Sequence, residues 1–114
     1  MTEISYTIEN PHVPAVFDIE LSAEAKTNIL AYMEGRHASF IIPAREIAIK
    51  LARRNGTVVS DDITAMTDKL GLYPRHHNAR GPVCLCPELQ WTGRVRPSSI
   101  PNHHRNLQKV WELA

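Results

Sequence analysis

Thr57-Val58-Val59-Ser60-Asp61-Asp62-Ile63, running on to Leu70-Gly71, is the stretch on which the fold turns. Three β-favouring residues make a short extended step, and Ser60 then reads as the N-cap of a helix with Asp61 and Asp62 in its first turn. Ile63, Met66 and Leu70 recur at helical spacing and Gly71 ends the pattern, so Ser60 to Leu70 is a compact amphipathic helix.

Upstream, Pro43 suits the first position of a helix whose Ala44, Ile47, Ala48 and Leu51 face inward, with Arg53 and Arg54 serving its C-terminal end and Gly56 stopping it. Before that, Ser22 caps an extra helix with Ala25, Ile29 and Met33 on one face, ended by Gly35. The opening residues 1–21 alternate Ile4, Tyr6 and Ile8 and then carry Pro11 and Pro14, which forbid a helix there. This arm is an edge strand or a mobile extension. Residues 22–114 form the domain proper, with its core in 44–114.

Downstream, Leu72-Tyr73-Pro74 is a turn into Arg75-His76-His77-Asn78-Ala79-Arg80-Gly81-Pro82. Pro82 and Pro87 limit any helix here to roughly Ala79 or Arg80 through Cys86. Gln90-Trp91-Thr92 then pairs with Gln108-Lys109-Val110-Trp111 across a Gly, Pro, Asn and Ser-rich loop, and Trp91 with Trp111 reads as a cross-strand aromatic pair. The expected architecture is mainly α with a small β-hairpin. Helix, extended step, helix, turn, short helix and hairpin is the order of a winged helix-turn-helix, here with an N-terminal arm and an extra helix.

At 114 residues and 43% hydrophobic content the chain can pack one core without metal or disulfide support. No stretch reads as a membrane span or signal peptide, so the expected setting is cytoplasmic, with no membrane partner. The formal net charge of +1 hides an asymmetry: residues 1–72 carry seven Lys/Arg against ten Asp/Glu, whereas 73–114 carry six against two. The basic end also holds four of the six histidines. An acidic partner is expected to meet the C-terminal part.

In a winged helix the short second helix of the pair enters the major groove. Arg75, His77, Asn78 and Arg80 are therefore the candidates for phosphates or base edges, with Arg suited to guanine and Asn to adenine. Asn78 is equally suited to capping its helix. Arg94, Arg96 and Arg105 fall in the hairpin loop, a flexible strip that can follow a phosphate backbone or reach into a minor groove, and are the candidates for phosphate contact. Six such contacts give an expected salt slope of about −5. DNA, with duplex favoured, is the expected partner, and a homodimer through the first helix and arm would suit two half-sites.

The residues Val59-Ser60-Asp61-Asp62-Ile63, Leu70-Gly71-Leu72, His77-Asn78-Ala79-x-Gly81 and Val110-Trp111 resemble those of small phage-encoded proteins with a winged-helix C-terminal half, over roughly Ala44 to Leu113. The resemblance implies a DNA-binding role in phage replication or gene control inside a bacterial host cell. The chain departs from that pattern at Arg80, where an aromatic is usual, and at Pro82.

Three rival readings share these residues. Paired His76-His77, Cys84 with Cys86, and His103-His104 are dense in metal-ligand types, yet match no standard zinc spacing, so no cofactor or metal is expected and the cysteines read as reduced thiols. An HNH-type nuclease fails on spacing, since His77 and Asn78 are adjacent. No other catalytic motif appears, and the chain reads as a non-enzyme. A phage-encoded module that docks on a host protein and inhibits or redirects it is the alternative function, because a fold does not fix a function.

Overall fold

The computed structural model describes residues 6–11, 13–99 and 106–114. Its elements in chain order are β1 (Thr7–Ile8), α1 (Ala23–Met33), α2 (Ile41–Asn55), α3 (Ser60–Lys69), a 3-10 helix (His77–Cys84), β2 (Leu89–Pro97) and β3 (Leu107–Leu113). The architecture is a small α/β fold in which the helices pack beside a three-stranded sheet of order β1-β2-β3.

Helix α2 is the centre of the packing and touches α1, α3, the 3-10 helix and β3. Its Ala44, Ile47, Ala48 and Leu51 are fully buried, as the helical spacing predicts, among Ile29, Tyr32, Phe40, Ile63, Met66, Val83 and Leu89. Each large side chain of that kind contributes about 1.5–3 kcal/mol through its removal from water. The helix starts two residues earlier than Pro43 suggested. Proline fits there because the first-turn N–H groups have no intrahelical acceptor, so its missing donor costs nothing. Gly56 ends α2 with φ +86°, a conformation that a side chain would strain, and its N–H returns to the Ala52 carbonyl at 2.8 Å.

Ser22 caps α1 as expected. Its Oγ accepts the Ala25 N–H at 3.0 Å, while the Glu46 carboxylate of α2 accepts from the Ser22 N–H at 2.9 Å and from its hydroxyl at 2.6 Å. One carboxylate thereby ties the start of α1 to α2.

The cap of α3 is Val59 rather than Ser60, which becomes the first helical residue. Valine has no acceptor to offer, so the capping is carried from inside the helix. Asp62 Oδ2 accepts the Val59 N–H at 3.2 Å, and the two aspartates sit at the positive end of the helix dipole.

The short extended step finds its partner in β3. Val58 and Trp111 exchange two backbone hydrogen bonds, each 2.9 Å. On the other side β3 pairs antiparallel with β2, placing Trp91 directly opposite Trp111, and the register slips between Trp91 and Val95 at a bulge. Gly93 supplies φ +83° there, and the Thr92 hydroxyl donates to the Val110 carbonyl at 2.9 Å.

Two expectations are refined. The arm is an edge strand over Thr7–Ile8, parallel to β2 with Thr7 opposite Arg94 and Ile8 opposite Val95, which enlarges the expected hairpin to three strands. The expected short helix is a 3-10 helix from His77 to Cys84, beginning earlier than Ala79 and ending before Cys86. Pro82 lies inside it. Lacking an N–H, and with a ring that would strike the carbonyl four residues back, Pro82 disfavours a regular α-helix. Among the described residues no helix is long and apolar enough to cross a membrane.

Candidate nucleic-acid interface

The 3-10 helix, the start of α3 and strand β3 meet around a shallow cleft of about 130 Å³ whose lining includes Ser60, Arg80, Gly81, Gln108, Lys109 and Trp111. Two tethers fix its walls. The first is Arg45 of α2, whose guanidinium donates to the carbonyls of Val83 at 2.9 Å, Pro82 at 2.8 Å and Leu85 at 3.2 Å. The Pro82 carbonyl also accepts the Leu85 N–H at 3.0 Å, and Arg45 adds donors there and to the Val83 and Leu85 carbonyls at the end of the 3-10 helix. Arg45 is not among the candidate residues that the sequence singles out. Its position on α2 offered no signal, because the carbonyls it meets lie nearly forty residues away.

The second tether is Asp61, 1% exposed. Its carboxylate accepts from the Ser98 hydroxyl at 2.9 and 3.0 Å, from the Ser99 N–H at 2.8 Å and from the Ser99 hydroxyl at 3.4 Å. Its own N–H donates to Gln108 Oε1 at 2.9 Å. Both sides of the hairpin next to its loop are thus bolted to the first turn of α3. The pair Ser98-Ser99 facing a helix-start aspartate was the available sequence signal, and it was missed.

The seven residues predicted to meet nucleic acid divide into groups. Asn78 is exposed on the first turn of the 3-10 helix, beside exposed His76. His77 opens that helix, but its side chain lies outside the described residues, as do Arg105 of the hairpin loop and the neighbouring His103 and His104. Arg75 is exposed yet anchored. Its backbone N–H donates to Tyr32 Oη at 2.7 Å, its guanidinium donates to the Tyr32 carbonyl, and that group lies 4.3 Å from the Tyr32 ring centroid.

Arg80 turns inward. Its guanidinium donates to Thr64 Oγ1 at 3.1 Å and Thr67 Oγ1 at 3.2 Å, stands 3.7 Å from the Asp68 carboxylate and lies 5.5 Å from the Phe40 ring centroid. Burial pushes its pKa below the ordinary arginine value, opposed by the Asp68 carboxylate. It fixes the 3-10 helix on α3.

Arg94 and Arg96 belong to strand β2 rather than to the flexible loop on which the sequence reading placed them, and both meet Glu9 of the arm. The contacts are 3.0 Å from Arg94 Nη1 to Oε1 and 2.9 Å from Arg96 Nη2 to Oε2. Lys109, on β3, lies over the aromatic pair, 4.8 Å from the Trp91 ring centroid and 5.9 Å from that of Trp111. It was not singled out in the sequence, although its place between two tryptophans in register is the kind of contact that period-2 alternation predicts.

Cys84 is buried and Cys86 half-buried, and both are free thiols. Burial pushes the Cys84 thiol up to about 12, with the neighbouring Cys86 adding to the shift and Arg45 opposing it. No group of three or more His, Cys, Asp or Glu among the described residues is placed to hold a metal ion. In comparisons with known proteins, no family model, curated sequence or solved structure matches this chain.

Proposed function

We propose that this protein binds nucleic acid, duplex favoured, as a winged helix in which α3 and the 3-10 helix form the helix-turn-helix pair and the β2–β3 hairpin is the wing. The observation that carries the reading is the Val58–Trp111 bridge. It puts the extended step between α2 and α3 at the edge of the hairpin, so the chain runs helix, strand, helix, helix, strand, wing, strand in the spatial order of that class. The Asp61 contacts support it further, because they tie the hairpin to the first turn of α3, the first helix of that pair. The role in phage replication or gene control implied by the resemblance is part of the same proposal.

With Arg80 laid on α3 and Glu9 of the arm held on Arg96, these two side chains, 22% and 14% exposed, are too enclosed to follow a backbone. Removing them from the six phosphate contacts leaves four, and the salt slope falls from about −5 to between about −3 and −4. Fluorescence anisotropy against labelled duplex and single-stranded DNA at several salt concentrations tests the reading. Binding to duplex in the micromolar range or tighter that fades with that slope supports it. Absence of binding at low salt overturns it.

A second reading, docking on a partner protein, is favoured by one observation. An apolar groove of about 440 Å³ lies between the segment before α1, α1 itself and the end of α3, lined by Ile19, Leu21, Ile29, Leu30 and Leu70. Leu30 and Met33 on α1 are also well exposed. Loss of DNA binding at low salt would transfer the weight to this face.

A further inference from the structure

Arg94 and Arg96 stand two residues apart on β2, where alternation sends both side chains to one face of the strand. Glu9 of the arm reaches that face and sets one carboxylate oxygen against each guanidinium, at 3.0 and 2.9 Å. An arginine fork accepts carboxylate and phosphate with the same geometry, and two forks side by side match the several oxygens of a phosphate better than the two of a carboxylate. The fit of Glu9 is incomplete. Its Oε1 is enclosed yet makes no hydrogen bond, although Arg94 is its near neighbour.

The strand that precedes Glu9 is also weakly held. β1 is two residues long, both its side chains are exposed, and Ile8 is 59% exposed, so the arm gains little from apolar burial at that point. What fixes it is backbone pairing, including the Glu9 N–H donated to the Val95 carbonyl at 2.7 Å, and the two ion pairs. The Arg94 pair, with its guanidinium 41% exposed, is the weaker of the two, and phosphate offers both guanidinium groups the same charge-assisted contacts as the carboxylate.

We infer that Arg94 and Arg96 form a phosphate-binding site that the Glu9 carboxylate fills in the free protein, so that the arm and a phosphate ligand compete for the same two guanidinium groups. This rests on the nucleic-acid reading for the identity of the ligand, a backbone phosphate of the duplex, and not for the existence of the site. The arm then acts as a built-in competitor. It lowers affinity for any duplex, and a bound duplex releases it.

The experiment uses the full chain as wild type, Glu9→Gln, Glu9→Gln with Arg94→Gln, and Glu24→Gln as a control that removes one negative charge from the exposed first turn of α1. Two probes are titrated, a labelled 20-base-pair duplex and sodium tripolyphosphate, while anisotropy follows the duplex and amide exchange follows the Glu9 N–H. Glu9→Gln is expected to bind duplex about 3- to 10-fold more tightly than Glu24→Gln, with a salt slope steeper by about 1 to 2. The double variant loses that gain, and either probe accelerates exchange at Glu9 in the wild type.

Equal affinity of Glu9→Gln and Glu24→Gln, with Glu9 protection unchanged by bound duplex, overturns the competition and leaves nucleic-acid binding standing. Failure of every variant to bind duplex, with tripolyphosphate still releasing the arm, keeps the phosphate site and removes the nucleic-acid reading. If neither probe affects the arm or binds, both fall.

Discussion

Asp61→Ala should be the most damaging single substitution at the junction of α3 and the β2–β3 hairpin. The carboxylate is 1% exposed and accepts from the buried Ser98 hydroxyl and from the Ser99 N–H, so truncation removes charge-assisted bonds from both donors. Each such bond is worth about 1.5–3 kcal/mol. The loss of the buried aspartate itself relieves its desolvation, which offsets part of this, and the net expected loss is about 3 kcal/mol. With a urea m-value of about 1.5 kcal/mol/M for a domain of this size, the unfolding midpoint should fall by about 2 M. Ser98→Ala alone should cost about 1 kcal/mol, and a double-mutant cycle should return a coupling of about 1–2 kcal/mol between the two positions. Amide exchange at Ser98, whose N–H is held by the Asn106 carbonyl at 2.9 Å, should accelerate more than exchange in the α2 core. A midpoint shift under about 0.5 M urea, or a coupling indistinguishable from zero, would refute the claim that Asp61 holds the hairpin to α3.

Three further outcomes follow from single tethers. Arg45→Met keeps the apolar stem but removes three carbonyl contacts, and should cost about 2–3 kcal/mol in urea unfolding while exchange quickens in the 3-10 helix. Tyr32→Phe deletes the acceptor for the Arg75 N–H, and calorimetry should record a loss of about 1 kcal/mol. For Cys84, burial raises the thiol to about 12 against an unfolded value of about 8.5, so the native state holds a proton that the unfolded state releases. Its contribution to stability is complete below about pH 8.5 and is lost at about 1.4 kcal/mol per pH unit as pH rises towards 12. Iodoacetamide at pH 8 should accordingly modify Cys86 well before Cys84, a difference that mass spectrometry of peptides reads directly.

The parts of the fold that were legible in the sequence are those governed by local periodicity and punctuation. Ala44, Ile47, Ala48 and Leu51 declare the inward face of α2, Ser22 declares the start of α1, and the paired tryptophans declare the hairpin register. The start of α3 was read one residue late because a serine looks like a better cap than a valine. Local propensity could not register that Asp62 reaches back to do the capping. The 3-10 helix was misplaced for a related reason: Pro82 signals that an α-helix is unfavourable without saying where the tighter turn begins. The arm was undecidable because its strand is made by a partner more than eighty residues away, and alternation over a few residues does not name that partner.

Arginines were the harder part of the site, and the reason is physical. A sequence reading counts cations and assigns them to solvent or to an anionic ligand, whereas a guanidinium with five donors is also well suited to tying together distant carbonyls, hydroxyls and carboxylates. Arg45, Arg75, Arg80 and Arg96 all do this here, and none of the four contacts is local in sequence. The basic C-terminal segment therefore offers less free charge than its composition suggests, and part of the acidic excess of the N-terminal half is folded onto it through Glu9 and Asp61. Binding of a polyanion must then be either weak, using Lys109, Arg75 and the loop cations alone, or competitive, displacing Glu9 to recover Arg94. The two regimes differ in whether Glu9→Gln has an effect beyond its charge. Only the competitive regime gives a gain that vanishes when Arg94 is also replaced.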